Sequence, residues 1–249
     1  MTSAVISGCC GKMGRVVNDI ISQREDIRVI AGIDKVCQKY SDFEVYKTPF
    51  ELAVCPDVII DFSHPSALDG LLGYAKTNGT ALVLASTGYN EAEIAKIKSA
   101  SAEIPIFFTA NMSIGINLLR ELAKKAASIL SEQYDIEIIE KHHNQKIDAP
   151  SGTALMLADA INESCGNRYS YIYDRHNVRK KRERSEIGIH SVRGGTIVGE
   201  HEIIFAGRDE VITLSHSAAS KEVFAVGAVN AAAFIVGKPA GLYSMADMI

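Results

Sequence analysis

The fold is decided by one segment near the amino terminus, Val5-Ile6-Ser7-Gly8-Cys9-Cys10-Gly11-Lys12-Met13-Gly14. A strand is predicted over 4–7 and a helix over 12–23, with the three glycines in the turn between them. In a dinucleotide site such glycines allow a tight turn, close approach of a pyrophosphate and packing of helix on strand, and the helix amides bind the phosphates. The spacing Gly-x-x-Gly-x-x-Gly is less specific than Gly-x-Gly-x-x-Gly, so a glycine turn without a ligand is the alternative.

An acidic residue at the end of the next predicted strand strengthens the dinucleotide interpretation. Asp34 ends the strand predicted over 27–34 and follows Gly14 by 20 residues, where an acid accepts hydrogen bonds from the adenosine ribose. Lys12 and Lys35 flank the site; they would attract the 2′-phosphate of NADPH, which Asp34 would repel. The pattern therefore predicts a nicotinamide cofactor and leaves NADH and NADPH both open.

The rest of the chain predicts two kinds of sheet. Strands predicted over 58–62, 81–85 and 106–109 alternate with helices, which indicates a parallel, doubly wound sheet because each parallel pair needs a crossover. After a long helix predicted over 114–130, the chain from 169 to 217 reads mostly as strands without helices, with strands predicted over 187–192, 196–206 and 210–217. Such a run favours antiparallel pairing in an α+β domain.

A last apolar helix, predicted over 223–236, is expected to return to the first domain. We therefore predict an α/β Rossmann-type dinucleotide-binding domain made of residues 1–112 and 220–249. The second domain, residues 113–219, is predicted to be α+β with a mixed, largely antiparallel sheet.

Composition and charge exclude several classes of protein. The net charge of −4 gives no electrostatic reason to bind nucleic acid or an anionic membrane, and the longest apolar stretches are shorter than the ~20 residues that span a bilayer. No signal peptide is recognisable, and none of the five cysteines forms a Cys-x-x-Cys pair. Reduced thiols, a cytoplasmic location and no metal site are expected.

The two cysteines of the glycine turn support a separate hypothesis. Cys9 and Cys10 lie at the predicted start of a helix and beside Lys12, and both features favour a reactive thiolate. The alternative is that they are inert small residues that fill the turn.

A second segment, Glu140 to Thr153, concentrates groups that can transfer protons and bind anions. His142, His143 and Lys146 follow a predicted strand, and Ser151 stands at the start of a predicted helix whose free amides suit an anion. Adjacent histidines on a strand point to opposite faces and no third ligand stands at a recognisable spacing, which disfavours a metal site. The segment is therefore interpreted either as a carboxylate site with a histidine that transfers a proton, or as histidines at a sheet edge beside a capped helix.

This segment resembles the Glu-x-His-His-x-x-Lys-x-Asp-Ala-Pro-Ser-Gly-Thr signature of the 4-hydroxy-tetrahydrodipicolinate reductase family. Further stretches resemble the same family in the same order: 8–15, Asp61-Phe62-Ser63, Ser86-Thr87-Gly88, Ala110-Asn111-Met112-Ser113, Val192-Arg193-Gly194-Gly195, Ile197-Val198-Gly199-Glu200-His201 and Phe224-Ala225-Val226-Gly227-Ala228. The resemblance spans essentially the whole chain. Lys12, where arginine is frequent in the family, bears on cofactor preference.

The resemblance implies an enzyme that uses NADH or NADPH to reduce a cyclic dicarboxylate, with loss of water, in lysine and diaminopimelate biosynthesis. It implies a second domain that binds substrate and builds a homotetramer through its sheet. His142 would be the general acid, Lys146 would serve catalysis and substrate binding, and the remaining implied substrate-binding residues are His143, Ser151, Gly152 and Thr153.

The glycine turn and the resemblance together imply a set of cofactor-binding residues. These are Gly8, Gly11, Lys12, Met13, Gly14, Asp34, Lys35, Phe62, Ser63, Thr87, Gly88, Ala110, Asn111, Met112 and Phe224. The resemblance implies that the residues at 87, 88, 110 and 112 position the nicotinamide and that Phe224 packs on it.

Two other classes are alternatives. One is a different Rossmann oxidoreductase, such as an aspartate-semialdehyde or homoserine dehydrogenase-like enzyme, and the other is a non-catalytic dinucleotide-sensing regulator. The basic run 179–184 is interpreted as a solvated loop, and His190, His201 and His216 as structural or solvent-facing. Asp61 either faces a ligand or caps a turn.

Overall fold

The structure is a computed structural model and describes residues 1–36 and 39–248; Cys37, one of the cysteines expected to be reduced, lies outside them. Contacts within the chain divide it into two units. The first unit is 1–113 together with the chain from Glu222 onward, and the second is Ile114–Lys221.

The described part of the first unit forms a seven-stranded parallel sheet in the order β12-β6-β5-β4-β1-β2-β3. Its strands are β1 (Thr2–Ser7), β2 (Ile27–Ile33), β3 (Glu44–Tyr46), β4 (Val58–Asp61), β5 (Ala81–Leu84), β6 (Pro105–Phe108) and β12 (Gly241–Tyr243). Its helices are α1 (Lys12–Ser22), α2 (Leu68–Asn78), α3 (Glu91–Ala100) and α6 (Glu222–Ile235). The predicted doubly wound α/β fold is confirmed.

Both faces of this sheet are covered, which is why its strands are apolar along their whole length. On one face, Ile6 and Ile60 pack against residues of α1 and α6 such as Val17. On the other face, Ile59 packs against α2 and α3. Parallel strands buried on both sides need such continuous apolar runs.

The second unit is a five-stranded mixed sheet in the order β11-β10-β7-β9-β8 within the described residues. Its strands are β7 (Asp135–His142), β8 (Ser170–Ile172), β9 (Glu186–Arg193), β10 (Gly199–Ala206) and β11 (Val211–Ala218), and its helices are α4 (Ile114–Leu130) and α5 (Gly152–Ser164). Both helices bury one face of the sheet around Ile136, Ile138 and Phe205. The other face, which carries Glu137, is called the open face here.

The mixed sheet is confirmed, but two of its pairings were not foreseen from the run of strands. β7 pairs with β9 in parallel, and so does β8, whereas β10 is antiparallel to β7 and to β11. For β7 and β9, the reason for the parallel pairing is that α5 lies between the two strands in the chain and acts as their crossover. Among the described residues, no helix has the length and apolar character needed to cross a bilayer.

Candidate active site

The glycine turn has the geometry that a pyrophosphate requires. Gly8 has a φ of +77°, a conformation that other residues rarely adopt, and a Cβ on Gly14 would lie 2.2 Å from the Gly8 carbonyl oxygen. Gly11 at the N-cap of α1 has no side chain with which to occupy the first amides of the helix. The turn therefore leaves the helix amides available to an anionic ligand, as in other dinucleotide sites.

The predicted cofactor residues gather at one edge of the first sheet. Parallel strands end at the same edge, and five neighbouring strands end within three residues of residues that were predicted to bind cofactor. These are Gly8 after β1, Asp34 and Lys35 after β2, Phe62 and Ser63 after β4, Thr87 and Gly88 after β5, and Ala110, Asn111 and Met112 after β6. Lys12, Met13 and Gly14 begin α1, and Phe224 lies in α6. Ligands of open α/β sheets bind at this edge.

A cavity of about 600 Å³ lies at this edge of the sheet. Six of the predicted cofactor residues line it, namely Gly8, Gly11, Asp34, Lys35, Phe62 and Ser63. Lys47, Thr48 and His64 also line it and were missed from the sequence. Lys47 and Thr48 follow β3, a strand too short to leave a periodic signal.

Two aspartates at this edge bind neighbouring turns. Asp34 accepts hydrogen bonds from the backbone amides of Cys10 at 2.9 Å and Val36 at 3.0 Å, so the end of β2 is joined to the glycine turn. Asp61 is fully buried and accepts from the hydroxyls of Ser63 at 2.5 Å and Ser86 at 2.7 Å. Of the two roles considered for Asp61, the structure has it capping a turn.

Burial decides against a reactive Cys9. Its side chain is fully buried and lies close to Gly32 and Phe43, and burial together with the neighbouring Cys10 raises the pKa of the thiol. The reactive-thiolate hypothesis is wrong for this residue. Cys9, Cys10 and Asp34 nevertheless bring three potential metal ligands within 4.8 Å of one another. The expectation of no metal site stays a prediction.

In the second unit, the end of β7 places a histidine on a buried carboxylate. Glu140 and His142 are two residues apart, so strand alternation puts both on the helix-covered face. Glu140 is 0% exposed, and its Oε2 lies 2.6 Å from Nδ1 of His142. The Nε2 atom of His142 would lie 3.1 Å from a Cβ on Gly199, so this glycine makes room for the ring.

Arg193 neutralises Glu140 and connects it to the following loop. Its Nη1 and Nη2 atoms donate to the two Glu140 oxygens, each at 2.7 Å, and Nη2 also donates to the Asp148 carbonyl at 2.6 Å. Burial raises the pKa of Glu140, but hydrogen bonds from Arg193, His142, Ser191 and the Ser151 amide outweigh it and lower this pKa to about 2. Glu140 is therefore a permanent anion.

The loop after β7 carries the predicted lysine. Nζ of Lys146 pairs with Oδ1 of Asp148 at 2.9 Å, and this pairing lowers the pKa of Asp148. The lysine is only partly exposed and follows the half-buried His143. The cation predicted to meet a substrate carboxylate is thus already held beside one carboxylate.

The start of α5 is built around Ser151, but not as predicted. Its hydroxyl accepts from the Ala154 amide as an N-cap, and its own amide donates to Oε1 of Glu140 at 3.1 Å, so that amide already serves a carboxylate of the protein. A Cβ on Gly152 would meet no atom of the described chain within 4 Å. The open part of this helix start is at Gly152, next to Thr153.

His201 is a further buried member of this cluster. It is 4% exposed, its Nε2 lies 3.0 Å from the Ser151 hydroxyl, and its ring contacts that of His142 with centroids 5.2 Å apart. Burial, followed by the charge of His142, lowers its pKa to about 4. His201 is thus a neutral structural histidine at pH 7; of the two interpretations, the solvent-facing one is wrong.

Comparisons with known proteins decide the family. The model described as "Dihydrodipicolinate reductase, N-terminus" matches residues 2–112, and "Dihydrodipicolinate reductase, C-terminus" matches residues 115–249.

The chain belongs to the dihydrodipicolinate reductase family.

Curated relatives of this family agree over the full length. The 4-hydroxy-tetrahydrodipicolinate reductases of Clostridium novyi and Caldanaerobacter subterraneus are 49% and 51% identical, covering 100% of this chain and 98% of each relative. A solved dihydrodipicolinate reductase from Paenisporosarcina sp. TG-14, bound to dipicolinate, has the same fold, with a TM-score of 0.84 at 24% identity over 100% of both chains. The chain is an NAD(P)H-dependent oxidoreductase of lysine and diaminopimelate biosynthesis, which excludes the two alternative classes.

Sequence reasoning missed two features of this dihydrodipicolinate reductase chain. Glu140 and Arg193 were quoted only as parts of motifs, because no local signal pairs residues 53 positions apart. The basic run 179–184 was interpreted as a solvated loop, but Arg182 donates to the carboxylates of Asp135 and Glu137 and to the carbonyl of Ile136. That interpretation is wrong for Arg182, because these acceptors on β7 hold its largely buried side chain against the sheet.

Proposed function

We propose that this chain reduces 4-hydroxy-tetrahydrodipicolinate to tetrahydrodipicolinate with loss of water, and that the end of β7 and the start of α5 form its substrate site. The observation that carries the residue assignment is the pair of His142 and buried Glu140, 2.6 Å apart, beside the N-terminus of α5. Family membership supports the reaction, and the second unit, Ile114–Lys221, is proposed to bind substrate.

The proton is assigned to His142. A nicotinamide cofactor would supply a hydride when bound, and hydride addition to the conjugated imine would give an enamine that must be protonated. Nδ1 of His142 faces Glu140, so the other ring nitrogen, Nε2, is the atom proposed to donate a proton to substrate. His142 is therefore proposed as the general acid.

The substrate is proposed to be held through its carboxylates. Lys146 supplies a cation, and the start of α5, where a Cβ on Gly152 would meet no neighbouring atom within 4 Å, supplies a helix amide; these are the two kinds of group that bind carboxylates. His143 is proposed to assist, and Ser151 to act by capping the helix. Asp148 holds Lys146 until a substrate carboxylate competes for it.

The cofactor is proposed to lie along the carboxyl edge of the first sheet. Its pyrophosphate would meet the glycine turn and the uncapped start of α1, and its adenosine would meet Asp34 in the adjoining cavity. The residues after β5 and β6, with Phe224, are proposed to position the nicotinamide. We propose that both NADH and NADPH are used, because Lys35 and Lys47 line the same cavity as Asp34.

The substrate site is tested with Lys146→Ala. We expect a large rise in KM or a fall in kcat for the substrate, with the affinity for NADH unchanged, because the lysine lies outside the cofactor edge. Pyridine-2,6-dicarboxylate, the ligand named for the Paenisporosarcina enzyme, should compete with substrate. Wild-type kinetics for Lys146→Ala at subsaturating substrate would contradict the assignment, as would a lack of competition at millimolar inhibitor.

Cofactor choice is tested with Asp34→Ser. Removing the carboxylate should shift kcat/KM toward NADPH, since it removes a charge that repels the 2′-phosphate. An unchanged ratio of the two kcat/KM values would place Asp34 away from the ribose.

A homotetramer and a cytoplasmic location are also proposed, from the family resemblance. Sedimentation equilibrium at working concentration tests the tetramer.

A further inference from the structure

Glu140 contacts both the proposed proton donor and the helix start of the candidate substrate site. It lies on β7, is fully buried, and accepts hydrogen bonds from His142, from both terminal nitrogens of Arg193 and from the Ser151 amide. These groups come from β7, from β9 and from the start of α5. One carboxylate therefore joins the proposed proton donor to the proposed anion-binding helix start.

Arg193 extends this connection to the loop that carries the lysine. Its guanidinium binds Glu140 with two parallel hydrogen bonds and also donates to the Asp148 carbonyl. The Asp148 side chain in turn holds Lys146 at 2.9 Å. Bidentate pairs of this kind fix geometry as well as charge.

We propose that Glu140 is the positioning residue of the substrate site: with its charge balanced by Arg193, it orients His142 for proton transfer and holds the start of α5 for a substrate carboxylate. This inference rests on the proposed function, because it assumes the roles assigned to His142 and α5. Glu140 does not touch the substrate. It fixes the tautomer of His142 by accepting from Nδ1, which leaves Nε2 as the atom that meets substrate.

This role has a kinetic signature. Nδ1 of His142 lies 2.6 Å from the Glu140 carboxylate, and its ring contacts that of His201 on β10. Losing the Glu140 carboxylate should lower kcat, because the ring is then no longer oriented for proton transfer.

The chain contains a matched control on the open face of the same strand. Glu137 also binds arginine and histidine, through Arg182 at 2.9 Å and His190 at 2.7 Å, but it contacts no proposed substrate residue. Glu137→Gln removes the same charge from the same strand. It should lower stability and leave kcat and KM close to the wild type.

The test compares Glu140→Gln with Glu137→Gln. We expect Glu140→Gln to lower kcat by at least ~10-fold, up to the ~10⁴-fold loss seen when the acid behind a catalytic histidine becomes an amide. The substrate KM should rise, and NADH affinity measured by fluorescence titration should stay unchanged. A Glu140→Gln enzyme with the wild-type kcat overturns the proposal.

A double variant separates positioning from simple charge balance. Glu140→Gln leaves Arg193 unpaired, whereas Glu140→Gln with Arg193→Met removes both charges and should recover thermal stability. We expect kcat to stay low in the double variant, because no carboxylate faces His142. Recovery of wild-type kcat would mean that Glu140 only neutralises Arg193, and would overturn the proposal.

Glu140→Asp keeps the test decisive if the neutral variant does not fold. It preserves the charge and the pairing with Arg193 but draws the carboxylate back, and a misplacement of ~1 Å can cost ~10²-fold in rate. Wild-type kcat in a folded Glu140→Asp enzyme would overturn positioning. Failure of the proposed function is distinguishable, because then His142→Gln itself would keep the wild-type kcat.

Discussion

Two glutamates three residues apart on β7 bind the same kinds of partner on opposite faces of one sheet. Glu137, on the open face, binds Arg175, Arg182 and His190, and its side chain is 20% exposed. Glu140, on the helix-covered face, binds Arg193 and His142 and is 0% exposed. A carboxylate with arginine and histidine partners is therefore not by itself a functional site.

The difference lies in what surrounds each trio of glutamate, arginine and histidine. Glu140 also accepts the amide at the start of α5, and its histidine is bound through Nδ1, so that Nε2 is left for a ligand. His190 is bound through Nε2 instead. Each trio rests over a glycine of a neighbouring strand: a Cβ on Gly188 would lie 1.7 Å from Oε2 of Glu137, and one on Gly199 3.1 Å from Nε2 of His142. The surrounding backbone is what distinguishes the trio proposed to act on a substrate from the one on the open face.

Replacing the histidine of each trio by glutamine should give the largest difference in kcat between the two faces. We expect His142→Gln to lower kcat by ~10²–10⁴-fold, the usual contribution of a positioned acid. His190→Gln removes the corresponding ring on the open face and should keep kcat within about twofold of the wild type, as expected of changes away from special sites. Steady-state assays of cofactor oxidation measure both. Similar losses for the two variants would show that the faces are not functionally distinct.

The loss of stability at acid pH should report the burial of His201. Burial lowers the pKa of His201 from 6.5 to about 4, so the unfolded chain takes up a proton at a higher pH than the folded chain. The stability present above pH 6.5 is therefore lost as the pH falls to about 4, by roughly 3 kcal/mol at most. Chemical denaturation across this window should show a steeper loss for the wild type than for His201→Gln. Equal slopes would mean that His201 does not stay neutral in the fold.

Replacing each of the two glycines by alanine should give smaller effects, on stability for Gly188→Ala and on kcat for Gly199→Ala. Gly188→Ala forces the Glu137 carboxylate to move and should cost ~1–3 kcal/mol of stability, as overpacking does, with kcat unchanged. Gly199→Ala requires His142 to shift by only a few tenths of an ångström. Stability should therefore change little, while kcat should fall several-fold because the ring is displaced. Thermal melts and kinetics on both variants provide the check. A kinetic loss in Gly188→Ala without one in Gly199→Ala would reverse the roles assigned to the two faces.

Local periodicity predicted most elements, and the exceptions have a common cause. The helix predicted over 114–130 has those bounds as α4 because its apolar residues recur at helical spacing over seventeen residues. The three-residue strands β3, β8 and β12 were not predicted, since a strand of that length carries no periodic signal. Their pairing partners, rather than their own residues, make them strands.

The candidate sites divide in the same way. The sequence by itself determined the glycine turn and the acid at the end of β2, because each depends on neighbours within a few residues. Tertiary structure alone decided that Arg193 neutralises Glu140, that His201 is buried beside Ser151 and that Cys9 is a fully buried core residue. The physical reason is that burial and ion pairing depend on strand register and crossover connections, which bring together residues that are far apart in the chain.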